Sequence, residues 1–180
     1  MRREPREERE FEEKVVEVRR VTKVVTGGKR MGFRVLTVVG DKKGRVGVAT
    51  ARSAEVAVAI RKSVDKAKKN LVNVILQGST IPHEIIGKLG ASRVLLRPAP
   101  SGRGVIAGGA IRVVLELAGI RDVVAKSLGS SNAVNCAKAT INALVSLRDI
   151  SKESKLRGHD IKVRFVQEES KEEEKEEVNA

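Results

Sequence analysis

Two valine-rich runs flanking a glycine turn constrain this chain more than anything else in its sequence. Val15, Val16, Val18, Val21, Val24 and Val25 supply β-branched bulk on one side. On the other, Phe33, Val35, Thr37 and Val39 alternate with Arg34, Leu36 and Val38. β-Branched side chains lose rotamer freedom in a helix and pack well on a pleated surface, so both runs predict strands. Between them Thr26-Gly27-Gly28-Lys29-Arg30 places two glycines where positive φ costs nothing, which predicts an antiparallel hairpin. Gly40-Asp41-Lys42-Lys43-Gly44 is a second turn, and Arg45-Val46-Gly47-Val48-Ala49-Thr50 a third short strand. Over 54–70 the period lengthens, and Ile60, Val64, Ala67 and Leu71 fall on one helical face. Three strands and one helix predict a small α+β domain over 14–71, preceded by a flexible charged arm over 1–13.

The pattern then repeats in another form. Leu71 to Leu76 reads as a new strand, with His83 to Lys88 and Arg93 to Arg97 as two more, the last stopped by Pro98 and Pro100. A glycine-rich loop over 101–109 leads into a helix from about Ala110 to Ala118, with Gly119 as its C-terminal cap. Asp122 to Leu128 is a short strand, and Ser130-Ser131-Asn132 supplies the N-cap of a helix whose apolar face is Val134, Ala137, Ile141, Leu144 and Val145. Strands followed by helix, strand and helix predict a second α+β domain over 72–150. Residues 151–165 are basic, and Ile161 to Phe165 alternates as a short strand would. Residues 151–180 are expected to be extended or disordered, with the charge run Glu168 to Glu177 at the acidic end.

Charge narrows the function. The chain carries a net charge of +13, but its ends are acidic. The first thirteen residues hold four Arg against six Glu, and residues 166–180 hold two Lys against seven Glu. The body between them keeps 30 basic and 10 acidic side chains, net +20. Such a body repels itself unless it meets a polyanion, and nucleic acid is the usual one. Aromatic residues are 2% of the chain, with Phe11, Phe33 and Phe165 the only rings. Stacking of single-stranded bases is therefore poorly supported, and phosphate and shape recognition of folded RNA is favoured. Cys136 is the lone cysteine, so an internal disulfide is impossible and a reducing compartment fits. The charged start, without an apolar signal core, and the lack of a membrane-length apolar run lead to the expectation of a cytoplasmic protein.

Two stretches stand out as RNA-binding candidates. The hairpin loop Thr26, Gly27, Gly28, Lys29 and Arg30, with Arg19, Arg20 and Lys23 beside it, combines backbone that can approach a phosphate closely with flanking positive charge. The helix flank Arg61, Lys62, Lys66, Lys68 and Lys69 has only Asp65 to offset it. A third motif, Gly102-Arg103-Gly104-Val105-Ile106-Ala107, fits the dinucleotide pattern G-x-G-x-x-A, with Asp122 downstream. An enzyme using a nucleotide at 102–109 is thus the alternative. Against it, Pro98 and Pro100 separate strand from glycines, and an alternating βαβ run is missing. Cys136 reads as a small core residue, and His83 and His159 lie far apart. Glu84, Glu116 and Asp122 form no evident catalytic pair. No metal, cofactor or catalytic residue is expected.

The segments Gly28 to Val35, Val38 to Gly47, Glu55-Val56, Pro98 to Gly109 and Gly129 to Asn132 occur in one register, and together they closely resemble the signature of the bacterial small-subunit ribosomal protein five family. The resemblance covers about 14–150. It implies an α+β fold: an N-terminal domain like a double-stranded-RNA-binding domain, then a βαβ-type domain with a left-handed crossover. It implies binding to small-subunit ribosomal RNA, contact with ribosomal proteins four and eight, and a place near the messenger RNA entry channel. In that family the loop matching Arg20 to Phe33 reaches RNA near the head–neck junction and affects spectinomycin sensitivity. The region matching Gly102, Arg103, Gly104 and Arg112 faces protein four, and changes there alter decoding accuracy. The acidic end departs from the family pattern, so the carry-over stops near Ile150.

Overall fold

The structure is a computed structural model and describes residues 11–159. β1 (Glu12–Val25), β2 (Gly28–Gly40) and β3 (Arg45–Ser53) form an antiparallel meander. α1 (Val56–Lys69) folds back over it, and β4 (Leu71–Asn73) then pairs with Arg45–Gly47, giving the sheet order β1-β2-β3-β4. Leu71, expected both on the helical face and at the start of a strand over 71–76, opens the strand, because Asn70 leaves the helical conformation and its N–H turns back to Ala67 O; the strand is three residues long and joins the first sheet instead of the second half. The first half therefore has four strands, one more than its sequence pattern predicted. Glu12 and Glu13, expected in a flexible arm, belong to β1, where Glu13 meets Lys68 Nζ at 3.0 Å. Phe11, also expected in that arm, packs against the α1 side of the sheet; residues 1–10, the strand expected over 161–165 and the acidic end lie outside the described residues.

The second half contains β5 (Ile85–Leu89), β6 (Ser92–Pro98), β7 (Val105–Ile106), α2 (Gly109–Ala118), β8 (Val123–Ser127), α3 (Ala133–Val145) and α4 (Ile150–Arg157). Its sheet runs β5-β6-β8-β7; the first three strands are antiparallel, and β7 lies parallel to β8 with α2 connecting them. Asn132 caps α3, accepting from Val134 N–H at 3.1 Å. α4, in a stretch expected to be extended or disordered, buries none of its residues; Asp149 caps it by accepting from Ser151 N–H at 3.0 Å.

The two sheets share one core. Leu36, Val38, Val46 and Val48, on one face of β2 and β3, pack with Val94 and Leu96 of β6, Val114 and Leu115 of α2, and Leu144 of α3. The opposite face carries Val39 and Ala49 against Val64 and Ala67 of α1. Burial on both faces is why β2 reads as a nearly continuous apolar run instead of a clean alternation. The joint is tight at the second turn. Lys42 N–H and Gly44 N–H donate to Leu117 O and Ala118 O, both at 3.0 Å, satisfying carbonyls at the end of α2 that the helix cannot satisfy itself. A Cβ on Gly40 would lie 2.2 Å from Leu117 O, so only glycine permits this approach.

Candidate nucleic-acid interface

The β1–β2 ribbon outreaches the sheet. β3 ends opposite Phe33, at the Phe33↔Ser53 pair, so the five pairs from Val21↔Gly32 to Val25↔Gly28 form a two-stranded arm. At 3.4 Å per residue that arm is roughly 17 Å long. Thr26 and Gly27 form its tip, with Gly27 at φ 91°. Val24 and Met31 are 74% and 56% exposed, so the arm's apolar side chains do not serve a core. A two-stranded ribbon is marginal in water by itself, and this one is anchored by the shared register of β2 with β3.

Register sorts the predicted residues onto two faces. Cross-strand partners share a face, and successive residues alternate. Arg20 and Lys29 lie on the α1 side, where Arg20 donates to Met31 Sδ at 2.6 Å. Arg19, Lys23 and Arg30 lie on the other side, with Lys23 directly opposite Arg30. Arg34 and Arg52 join them there through the pairs Arg19↔Arg34 and Arg34↔Arg52. Five cations thus occupy one face of the arm and its base, and among the described residues Glu17, bonded to Arg19 at 2.5 Å, is the one carboxylate paired with any of them. Arg34 was missed in the sequence because it sits inside an apolar strand pattern, and Arg52 because β3 runs to Ser53, past the expected strand end at Thr50. The signal that could have found them is the hairpin register itself.

The helix flank is a separate place. Arg61, Lys62, Lys66, Lys68 and Lys69 are all exposed. Lys66, Lys68 and Lys69 occupy the last turn, where positive charge also complements the helix dipole. Lys68 pairs with Glu13, whose cross-strand partner Val39 lies eleven residues along β2 from Gly28. The end of α1 and the arm's tip are therefore roughly 36 Å apart. One compact ligand cannot meet both; an extended polyanion can.

The glycine-rich loop is arranged around an internal anion. Gly102 and Gly104 take φ of 83° and 78°, and Gly104 N–H donates to Asp122 Oδ1 at 2.8 Å. The backbone N–H groups of Gly102 and Arg103 and the Ser79 hydroxyl lie near this carboxylate and favour its charged form, and Arg103 N–H also reaches Pro100 O at 3.4 Å. Burial alone would raise its pKa, but these hydrogen bonds outweigh burial and hold Asp122 below the usual carboxylate range. Of the backbone donors that a nucleotide phosphate would need, Gly104 N–H is committed to Asp122 and Arg103 N–H to Pro100 O, and β7 intervenes before α2 begins. The dinucleotide-binding alternative loses its geometry here. Arg103 stays exposed between the two glycines. Arg112 bonds Glu116 at 2.7 Å, and Lys14 reaches the same carboxylate at 2.9 Å. The hydrogen bonds from Arg112 and Lys14 hold Glu116 below its ordinary pKa. Arg112 thus belongs to the joint with β1, whereas the glycine loop closes on β8.

Other reactive side chains are occupied. A cleft of about 670 Å³ between β1 and α2 is lined by Glu12, Glu13, Lys14, Lys42, Glu116 and Arg121. Each of its carboxylates has a cation partner: Lys42 for Glu12, Lys68 for Glu13, Lys14 for Glu116. Cys136 is 5% exposed and donates to Ser130 O, as a small core residue would. Among the described residues no group of three or more His, Cys, Asp or Glu is placed to hold a metal ion. No described helix is long and apolar enough to cross a membrane.

Two family models and several curated proteins match the chain in sequence. The model for the N-terminal domain of ribosomal protein S5 matches residues 11–75, and that for its C-terminal domain matches 87–157. The small ribosomal subunit protein uS5 of Thermotoga petrophila is 53% identical over 157 residues, 87% of either chain. That of Thermotoga neapolitana is 53% identical over 148 residues, covering 82% of this chain and 83% of its own. The protein of the same name from Thermotoga maritima is 52% identical over 157 residues, again 87% of both.

Proposed function

The chain belongs to the ribosomal protein S5 family, and from that premise we propose that it is a non-catalytic constituent of the small ribosomal subunit that clamps folded ribosomal RNA with its hairpin arm. In this reading the protein works in the cytoplasm, inside the ribosome. Arg19, Arg20, Lys23, Lys29 and Arg30 neutralise phosphates, while Thr26, Gly27 and Gly28 let backbone approach them. The α1 cations Arg61, Lys62, Lys66, Lys68 and Lys69 extend the contact along the same polyanion. The first half acts as a double-stranded-RNA-binding-like unit, and β7–α2–β8 is the βαβ-type unit with the left-handed crossover. Gly102, Arg103, Gly104 and Arg112 face ribosomal protein four, with protein eight as a further neighbour. Through these contacts the chain supports assembly, decoding accuracy and messenger entry; an interface of this kind can bias a conformational equilibrium.

The observation that carries the proposal is the arm: a projecting ribbon whose cations outnumber the carboxylates bonded to them. Exposed like charges placed opposite one another are unfavourable in the free protein, and phosphate contact relieves them by releasing counterions. Filter binding of the full chain to small-subunit ribosomal RNA over a salt series tests it. Lys29→Ala/Arg30→Ala is expected to weaken binding and flatten the logarithmic salt slope by about 1.8, at about 0.9 per lost contact. An unchanged slope removes the arm from the interface.

A further inference from the structure

We propose that Arg19, Arg34 and Arg52 form a second phosphate-binding element, a rigid arginine row at the base of the arm that grips the RNA backbone. The proposal rests on the RNA-binding reading above and adds two residues to it. The register puts the three arginines in line across β1, β2 and β3. Directly opposed residues hold their Cβ atoms about 4.5–5.5 Å apart, and like charges so placed repel. Glu17 bonds Arg19, but among the described residues Arg34 and Arg52 have no carboxylate partner. A Cβ on Gly32 would lie 3.3 Å from Arg52 Nε, so the Arg52 side chain lies over the bare backbone of β2. The missing side chain at Gly32 keeps that space open, between the row and the next pair of cations.

The ligand class follows from the chemistry. Guanidinium groups present planar forks of donors that match phosphate oxygens two at a time and stay charged at any physiological pH. Lys23 and Arg30 continue the same face four residues farther out, roughly 13 Å along the ribbon. A single small anion would satisfy the row and leave that outer pair unused; a nucleic-acid backbone runs along both. The ring in this region, Phe33, lies on the opposite face, so no aromatic platform for a base adjoins the row. The row also differs from the tip in rigidity, because it sits where three strands pair instead of two.

The test uses the full chain and small-subunit ribosomal RNA, with Arg34→Gln/Arg52→Gln compared to Lys29→Ala/Arg30→Ala. The row variant is expected to flatten the salt slope by about 1.8 while its melting temperature without RNA stays level or rises, since a repulsion has been removed. Arg34→Lys/Arg52→Lys is expected to keep the slope and bind more weakly, because ammonium groups lose the forked geometry. If the tip variant flattens the slope and the row variant does not, the row is refuted and the arm stands. If neither flattens it, both readings fail. A lower melting temperature with an unchanged slope makes the row structural and overturns the proposal.

Discussion

Asp122→Asn tests the reading of the glycine loop most sharply. The wild-type carboxylate is 5% exposed and accepts from Gly104 N–H at 2.8 Å, and the nearby Gly102 and Arg103 N–H groups and Ser79 hydroxyl also favour its charged form. A hydrogen bond to a charged acceptor contributes about 1 kcal/mol more than a neutral one, and the amide also turns an NH₂ toward donors. Loss of charge assistance over two or three bonds comes to about 3 kcal/mol; relief of the buried charge offsets part, leaving about 2 kcal/mol. For a body of this size that is roughly 4–8 °C in melting temperature at pH 7. The pH dependence supplies a second check. A carboxyl whose folded pKa lies below its unfolded one stabilises fully above the unfolded value and loses that contribution as pH falls through the folded one. The gap between wild type and variant should therefore be widest near neutrality and shrink below about pH 4. Thermal unfolding from pH 7 to pH 3 reads both. Equal melting temperatures at pH 7, or a gap that does not change with pH, would refute the picture of a loop wrapped on its own carboxylate.

Two further changes probe the shared core. Thr37 is fully buried and its hydroxyl has no hydrogen-bond partner among the described residues, so Thr37→Val should raise the melting temperature by roughly 2–4 °C, from about 1 kcal/mol; a fall would mean the hydroxyl is bonded after all. Gly119 takes φ 93°, and a Cβ there would lie 2.2 Å from Lys42 O, so Gly119→Ala should cost about 3 kcal/mol or more in chemical denaturation; an unchanged midpoint would show that the turn and the end of α2 do not meet.

Local chemistry made the first meander legible. Valine-rich runs, the Thr26-Gly27-Gly28 turn and the cap at Asn132 each act within a few residues, so their signals survive in one dimension. The apolar face drawn for α1 held for three of its four residues: Val64 and Ala67 are buried and Ile60 is half-buried against their cluster, whereas Leu71 leaves the helix for β4, and Ala59 and Ser63 complete the stripe. Ser63 fits because its hydroxyl donates to Ala49 O at 3.2 Å. Long-range pairing left no such trace. β8 inserts between β6 and β7, and that placement puts Lys88, Arg93 and Lys126 on one exposed face of the second sheet. Asp122 looked like the acidic partner of a dinucleotide motif because spacing alone cannot tell a carboxylate that meets a ribose from one that fills the loop. In the candidate site the cations of the hairpin and of α1 were visible, but Arg34, Arg52 and the division into a tip, an arginine row and a distant helix end depend on register.

The salt dependence of RNA binding by the unaltered chain bears on all of this at once. With the five cations Arg19, Lys23, Arg30, Arg34 and Arg52 on one face of the arm, the logarithm of the affinity for small-subunit ribosomal RNA should fall against the logarithm of salt with a slope of roughly −4 or steeper. A shallow slope, or no binding at moderate ionic strength, would contradict an interface built from backbone phosphates and paired arginines.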